Sequence, residues 1–491
     1  MRAGAWFTKE SMGRSAAILT VFQAAEQVIL LGRGIVFARV LGPAEYGVFS
    51  LAFFFIPLAV ALAKLGVPSS FARYIPQYER KQALAAFLRR TYTLVVAGGG
   101  LASLLCIVGA ESLAKGIYGS PAYAGVMILC GLTLLPNVLM ESLAATFSGL
   151  RVFLLDSLLR FSQFLMFTAL GVGLVFWRPR TDTILASNLA ALAVAVVFFG
   201  GLLIRHLRGL SEQHAPLREP GFYAKLFRFS SAYMLAPVLF LFFIYSDRWI
   251  LNLLMDLEQV GIYSVAAKIS GLVFTFGMIT GNVLIPNLSH LWEEGNRERV
   301  MFLINFAAKI NTLVLLTAAA ALAVTKDVVI PLLYGQDYAP ALPVVNALLV
   351  FWIVQSANWT LGGYGGLVEK TYITLSANAL GLAANVGLNF LLIPRLGIQG
   401  AAAASLLATT FIFTILSLWF RREGLRLRAN TLVVLASAYG LLFPTWILLP
   451  VLGVLAGVAL KSDRILNAEE REMVAAQAAK LSARLRRRGA R

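Results

Sequence analysis

The chain has 491 residues, of which 59% are hydrophobic and only 13% are charged. Soluble domains carry about 25% charged residues, so this composition excludes an ordinary soluble protein. The excess of 42 Lys and Arg over 24 Asp and Glu, a net charge of +18, is accounted for by basic loops and anionic lipid headgroups, and nucleic acid is not predicted as a partner.

Apolar runs long enough to cross a bilayer, about 20 residues each, follow one another along the chain. In chain order the predicted spans are roughly 16–38, 47–66, 92–112, 122–147, 157–177, 182–204, 230–254, 262–285, 302–324, 340–362, 372–393 and 398–420. They predict an all-α polytopic membrane protein.

A last apolar block, 430–460, would make about 46 Å of helix, which is too long for one straight span. Two short helices broken near Pro444 would keep the arginine-rich tail on the side of the other basic loops. We therefore predict about 14 transmembrane helices, with a single crossing by this block as the alternative. Most Lys and Arg then fall in inner loops, so both termini are predicted to be cytoplasmic.

The segment Gly47–Ala52, GVFSLA, returns 214 positions later as Gly261–Ala266, GIYSVA. Further pairs occur in the same order at similar offsets: Tyr74–Pro76 with Leu284–Pro286, Ile117–Gly119 with Leu333–Gly335, and Phe147–Leu150 with Tyr364–Leu367. Six predicted helices separate the copies, and because six is even, both copies enter the membrane in the same direction. This predicts two parallel-repeat six-helix lobes around a central lumen, plus a C-terminal helix pair.

The predicted domains follow from this repeat. They are an N-lobe, a cytoplasmic linker, a C-lobe, a C-terminal pair of transmembrane helices and a basic cytoplasmic tail, at 1–205, 206–229, 230–420, 421–461 and 462–491.

Ionisable residues at membrane depth are costly, so they usually face a cavity or a partner. Arg33 of the first span matches Asp247 of the seventh at the offset of 214, and Arg248 is adjacent. With Lys268 they predict a hydrophilic, net cationic lumen able to bind an anionic group such as a pyrophosphate. Further polar residues of the predicted lumen are Gln23, Glu26, Asp247, Thr275, Asn282, Asn305, Lys309, Asn378, Asn385, Lys64 and Arg73.

Structural interpretations stay open for several of these residues. The side chains of Lys64, Arg73 and Lys309 could extend to the inner interface. The asparagines could form hydrogen bonds between helices. Asp247 and Arg248 could simply lie at the outer end of their helix.

The sequence lacks the motifs of common enzymes. It has no HExxH, no GxxxxGK[ST] and no Ser/His/Asp constellation, and its three histidines fall in or beside predicted inner loops. We therefore predict a transporter and not an enzyme, with no metal and no cofactor.

The segment Leu41–Gly47, LGPAEYG, resembles a segment of the bacterial polysaccharide-biosynthesis flippases of the O-antigen type. These form the oligosaccharide-lipid branch of the MOP superfamily, which also includes the multidrug-and-toxin extrusion (MATE) transporters. Other segments agree in order: Asp247–Leu251 leading to Val260–Ser264, Leu333–Gly335 with Tyr338, and Ile393–Ala402. The resemblance covers about residues 15–420.

This resemblance implies a carrier in the bacterial cytoplasmic (inner) membrane that moves a polyprenyl-pyrophosphate-linked oligosaccharide to the outer leaflet by alternating access. The sugars and the pyrophosphate would pass through the lumen, where Arg33, Arg248 and Lys268 would contact the pyrophosphate. The lipid tail would stay in the bilayer. Expected partners are this lipid-linked glycan, membrane lipids and other membrane proteins of polysaccharide assembly, and the carrier itself is expected to be monomeric.

Two other functions deserve comparison. A cation-coupled multidrug exporter could use the same scaffold, but exporters of cationic drugs need acids and aromatics where this chain has more Arg and Lys. A membrane glycosyltransferase or ligase would need catalytic acids or His in a long outer loop, and the predicted outer loops are short and lack His.

Overall fold

The computed structural model describes residues 12–211, 219–444 and 465–473, with positions 450, 453 and 457, and over these residues the secondary structure is helical without a β-strand. The helices are α1 (Met12–Ala63), α2 (Phe71–Arg80), α3 (Leu84–Val108), α4 (Ala110–Tyr118), α5 (Ala124–Gly149), α6 (Phe153–Val175), α7 (Thr181–Ser211), α8 (Phe222–Leu254), α9 (Leu257–Glu293), α10 (Arg297–Tyr334), α11 (Leu342–Leu367), α12 (Thr371–Leu396), α13 (Ile398–Arg422) and α14 (Ala429–Ser437). The predicted all-α polytopic fold is confirmed.

Ten helices in the described part of the chain are long and apolar enough to cross a membrane. The first two predicted spans form one helical segment, α1, whose backbone leaves the helical conformation at Gly42 (φ 73°, ψ 170°). Only glycine adopts this conformation readily, and Pro43 then begins the next helix at a position where its missing N–H costs nothing.

The predicted break in the last apolar block is described only at its beginning. A 3₁₀ turn after α14 ends at Leu442, and Phe443 is extended. A residue before proline is disfavoured in the helical region, so Pro444 accounts for this end. Most of 445–460 lies outside the described residues, and the count of 14 spans stays a prediction.

The described residues form two compact units. Unit 1 runs to Ser264 and also includes Leu333–Tyr338, whereas unit 2 contains the remainder. In unit 1, α5 packs against α3 and α7, and α1 packs against α6 and α8. In unit 2, α13 packs against α11 and α12.

The internal repeat is visible in the backbone of equivalent turns. After α5, the N–H groups of 150, 151 and 152 bond to the carbonyls of 146, 148 and 147; after α11, those of 368, 369 and 370 bond to 364, 366 and 365. Arg151 and Glu369 both have positive φ, at 62° and 56°. The offset here is therefore 218, and the sequence match of Phe147–Leu150 with Tyr364–Leu367 is one residue out of register.

Helix α2 is a separate amphipathic helix that follows the second predicted span. It buries Phe71, Tyr74, Ile75 and Tyr78 on one face. Arg73 is exposed on this helix and its guanidinium lies 5.0 Å from the ring centroid of Phe229.

The start of α8 is fastened to α2 by a carboxylate. Tyr78 donates a hydrogen bond to Glu219, and Lys225 forms an ion pair with the same carboxylate at 2.7 Å. These contacts, the Lys225 hydrogen bond first, hold the pKa of Glu219 below its usual value.

A pH dependence of stability follows from this carboxylate. A lowered folded-state pKa contributes stability that is present above the unfolded pKa, about 4.3, and is lost as the pH falls through the folded pKa. We expect Glu219→Gln to lower the thermal unfolding temperature at pH 7 by no more than about 2 °C, since a partly exposed pair contributes under about 1 kcal/mol. The difference from wild type should shrink as the pH falls below about 4. Unfolding scans in detergent at several pH values measure this, with exposed Glu258→Gln as the control; a pH-independent difference would contradict it.

Candidate functional site

The LGPAEYG segment of α1 holds the start of α7 within unit 1. After the break at Gly42, the Glu45 carboxylate accepts the backbone N–H of Thr181 at 2.6 Å, and the Glu45 carbonyl accepts the Thr181 hydroxyl at 3.1 Å. Thr181 begins α7, so Glu45 places a negative charge on a helix N-terminus with unsatisfied N–H groups. This acid has a structural role.

The two repeat-related glycines lie against each other within unit 1. A Cβ on Gly47 would overlap the carbonyl oxygen of Leu257, and a Cβ on Gly261 would overlap the carbonyl oxygen of Pro43. Both the glycines and the carbonyls that they face are 214 positions apart. Helices α1 and α9 therefore cross backbone to backbone on a local two-fold relation, which small residues permit.

Arg33 projects from α1 onto α6. Its Nη1 donates a hydrogen bond of 3.1 Å to Thr168 Oγ1, and its guanidinium carbon lies 4.5 and 4.3 Å from the ring centroids of Phe164 and Phe167. Among side chains that the structure describes, no carboxylate pairs with Arg33. A guanidinium has five N–H donors, so this arrangement holds the cation by its faces and leaves donors for an anion.

Arg248, in contrast, is neutralised by its neighbour. It is 7% exposed, its Nη1 lies 3.3 Å from Asp247 Oδ1, and it donates to Ser264 Oγ and the Ile244 carbonyl at 3.2 and 2.9 Å. Asp247 also accepts the Tyr263 hydroxyl at 2.5 Å. The repeat thus places a lone cation at one position and a closed ion pair at the matching one.

Tyr46 is within electrostatic range of both Arg33 and Arg248. It is 2% exposed and stacks on Phe49 with ring centroids 5.4 Å apart. The tyrosine of the LGPAEYG segment therefore brings the two predicted arginines into one neighbourhood of unit 1.

Other predicted lumen residues of unit 1 are in part paired. Lys64 forms an ion pair with Glu141 at 2.6 Å, which gives its charge a partner inside the protein. Glu26 is half-buried and interacts electrostatically with Arg160 and Asp156. The side chain of Gln23 lies outside the described part of the chain.

Lys309 has a packing role that helix-face reasoning did not predict, and Asn305 forms hydrogen bonds to another helix, the alternative left open for the asparagines. Lys309 is fully buried, 2.5 Å from Glu470 Oε2 and 3.2 Å from the Ile465 carbonyl. It lines no open surface in unit 2 and does not extend to an interface. Asn305 accepts the N–H of Arg428 and the hydroxyl of Thr431, both at 2.8 Å, at the start of α14.

One asparagine of α12, Asn385, forms an interhelical hydrogen bond, which was the alternative to lumen lining, and two others bond within their own helix. Asn385 donates to Ser405 of α13 at 3.2 Å, and Asn389 donates to Asn385 at 3.0 Å, with both asparagines buried. Asn378 bonds to the Thr374 carbonyl of its own helix.

The remaining predictions fall on α9. Lys268 and Thr275 are half-buried in unit 2, and the side chain of Asn282 is not described.

The residues around Arg33 were missed from the sequence. Phe164, Phe167 and Thr168 occupy positions i, i+3 and i+4 of α6, so they share a face. That spacing is a detectable signal, but a Phe-rich face of a membrane helix ordinarily faces lipid, and nothing in the sequence says that α1 covers it.

Two curated proteins of related sequence match part of the chain. A probable low-salt glycan biosynthesis flippase, Agl15, of Haloferax volcanii is 22% identical over 236 residues, which is 48% of this chain and 50% of that protein. An uncharacterized membrane protein of Methanocaldococcus jannaschii is 24% identical over 239 residues, 48% of this chain and 46% of that protein. The chain spans about half the length of the curated relatives it matches.

Solved structures share the fold over most of its length. The lipid II flippase MurJ in an inward closed conformation superposes with a TM-score of 0.69 and 13% identity, covering 89% of this chain and 98% of MurJ. A multidrug resistance MATE family transporter of the MOP superfamily, in an inward-facing conformation, gives a TM-score of 0.65 and 14% identity over 83% of this chain and 98% of that one.

The family resemblance drawn from the LGPAEYG segment is confirmed by a family model. The model described as polysaccharide biosynthesis protein matches residues 12–292, more than half of the chain. The matched range includes Arg33, the Asp247–Arg248 pair and both glycines of the helix crossing. This chain is a multi-pass membrane protein that belongs to the polysaccharide biosynthesis protein family and has the fold of the MOP superfamily.

Proposed function

We propose that this protein is a flippase that moves a polyprenyl-pyrophosphate-linked oligosaccharide across the cytoplasmic membrane by alternating access. In this proposal the pyrophosphate contacts Arg33 and Arg248, the sugars follow through a hydrophilic lumen, and the polyprenyl chain stays in lipid; the contact expected for Lys268 stays a prediction from the sequence. The protein works as a monomer with both termini in the cytoplasm, beside other membrane proteins of polysaccharide assembly.

The observation that carries the proposal is that the positive charge of Arg33 is not balanced by a carboxylate among the described side chains. A cation at membrane depth costs several kcal/mol unless something stabilises it. Arg33 has one hydroxyl and two aromatic faces around it and no carboxylate among the described side chains. An anionic ligand would supply the missing charge, and the planar guanidinium suits the oxygens of a phosphate.

Arg248 is the second proposed contact for the same ligand. Its charge is balanced by Asp247 in the structure, so an arriving pyrophosphate would compete with that carboxylate. In such an arrangement Arg33 binds first, and Arg248 tunes affinity through its release from Asp247.

The multidrug exporter is the less well supported alternative. A cationic drug would need a carboxylate that is not already committed. Asp247 accepts Tyr263 and pairs with Arg248 inside unit 1, so it is a poor site for an external cation. The fold shared with a MATE transporter does not discriminate between the two functions, because one fold hosts different chemistries.

The test is Arg33→Ala, measured by binding and transport of a fluorescent polyprenyl-pyrophosphate glycan with the full chain in proteoliposomes. We expect affinity to fall by about ten- to hundredfold, the contribution of a hydrogen bond to a charged group. Arg33→Lys should recover part of the loss, since it keeps the charge but not the planar fork.

The control is Arg39→Ala, an exposed arginine six positions further along α1. It should bind and transport as the wild type does. Normal binding and transport by Arg33→Ala would refute the proposal, and active efflux of lipophilic cations by the wild type would replace it with the exporter.

A further inference from the structure

A groove between α6 and α7 of unit 1 is lined by none of the predicted lumen residues. Its volume is about 370 Å³, and its walls are apolar, formed by Leu155, Leu158, Met166, Val194, Phe198 and Leu202. Gln163 also lines it and donates a hydrogen bond of 3.1 Å to Asn188. This bond joins the two helices, so the groove is a fixed feature of their packing and not a gap between loose elements.

The groove is open along its length. Val194 and Phe198 are 56% and 60% exposed, although both are large and apolar. They lie on a helix long enough to cross the membrane, Thr181–Gly209, so the medium outside the groove is lipid. An elongated apolar chain would cover the side chains that the protein leaves uncovered.

One end of the groove is strongly basic. Arg205 follows Leu202 by three positions on α7 and so lies close to the face that lines the groove, and Arg208 is about one turn further toward the end of the helix. Both are exposed, and no acidic partner for either occurs among the described side chains. The positive-inside rule places this end on the cytoplasmic side.

We infer that this groove is a binding site for an anionic phospholipid of the inner leaflet, with one acyl chain along the α6–α7 walls and the phosphate on Arg205 and Arg208. An apolar channel and a basic end in direct continuity match the two parts of such a lipid. Basic pockets between transmembrane helices on the cytoplasmic side bind anionic headgroups in this way. A zwitterionic lipid offers the same chain but no net charge.

The experiment is native mass spectrometry of the full chain in detergent, titrated with phosphatidylglycerol or phosphatidylcholine of identical chains. We expect the wild type to retain phosphatidylglycerol in preference. Arg205→Gln with Arg208→Gln should weaken phosphatidylglycerol binding by about tenfold or more and leave phosphatidylcholine unchanged. Val194→Trp, at an exposed wall position where a larger ring can enter the groove without displacing the core, should weaken both lipids.

The matched control is Arg421→Gln with Arg422→Gln, two exposed arginines at the corresponding end of α13. This pair removes the same charge from the basic end of a different helix, and lipid binding at the α6–α7 groove should stay as in the wild type. Equal losses in both double variants would overturn the inference in favour of general attraction of basic helix ends to anionic lipid.

A competing occupant is tested in the same titration. If polyprenyl phosphate displaces phosphatidylglycerol at far lower concentration than other lipids do, the groove serves the transported substrate and the inference is overturned. Because the experiment measures binding of a bulk lipid, its outcome tests the lipid site independently of whether the protein transports a lipid-linked glycan.

Discussion

Gly261→Ala is expected to lower the thermal unfolding temperature by about 5 °C or more, although it adds a single methyl group. The added Cβ would overlap the backbone carbonyl of Pro43, which cannot move aside as a flexible side chain would. Gly47→Ala should do the same, because its Cβ meets the carbonyl of Leu257. Each substitution therefore forces helices α1 and α9 apart, and unfolding scans of purified protein measure the effect.

The crossing also predicts how the two substitutions combine. Once one methyl group has separated the helices, the second enters space that is already open, so the double variant should lose less than the sum of the singles. Gly32→Ala and Gly100→Ala are matched controls on α1 and α3, since a Cβ at either position meets nothing within 4 Å. Strict additivity, or equal losses in the controls, would mean that the crossing does not hold the helices together.

Glu470→Ala is the second change with a large expected effect. It would leave the Lys309 ammonium buried without its carboxylate, and removal of one partner from a buried ion pair costs about 3–5 kcal/mol. The loss should appear as a lower unfolding temperature and as protease sensitivity of the C-terminal segment. Ile465 and Leu466 of this segment pack on Val434, so its release would also expose apolar surface.

A double variant that removes both charges tests the ion pair separately from the apolar packing of the C-terminal segment. Lys309→Met combined with Glu470→Met should be much more stable than Glu470→Ala alone, because no uncompensated charge remains. Glu469→Ala is the neighbouring control; it contacts Arg299 with its side chain 55% exposed, and such surface pairs contribute under about 1 kcal/mol. If Glu470→Ala were as mild as Glu469→Ala, the ion pair would not anchor the segment.

The charged residues show how far sequence reasoning reaches. The repeat offset of 214 matched Arg33 with the Asp247–Arg248 position, and helix periodicity placed each on a span. Neither the repeat nor the periodicity distinguished a cation without a carboxylate partner from a cation in an ion pair. Whether an arginine meets a carboxylate depends on rotamers and on the facing helix, and both Arg33 on α6 and Lys309 at Glu470 involve partners over a hundred positions away.

The two glycines show the same difference between what the sequence predicts and what packing determines. The recurrence of Gly47 as Gly261 can be read from the sequence. The contact between the two glycines could not be predicted, since a repeat relates positions without saying that they touch. The register of the later turns likewise needed the backbone hydrogen bonds, because the sequence match of Phe147–Leu150 with Tyr364–Leu367 gives an offset one residue smaller than the turns do.

The sequence by itself determined that the chain is a duplicated all-helical membrane protein, because span length, loop charge and repeat order are local properties of the chain. The polysaccharide biosynthesis type followed from the resemblance of the LGPAEYG segment, and of the segments in order with it, to that family. Only the tertiary structure decided which charges are paired, which glycines touch and where the C-terminal segment docks. Helical periodicity assigns a residue to a face of its own helix. The identity of the neighbour on that face is a property of packing, and in this protein the neighbour decides whether Arg33, Arg248 and Lys309 are open to a ligand or closed in an ion pair.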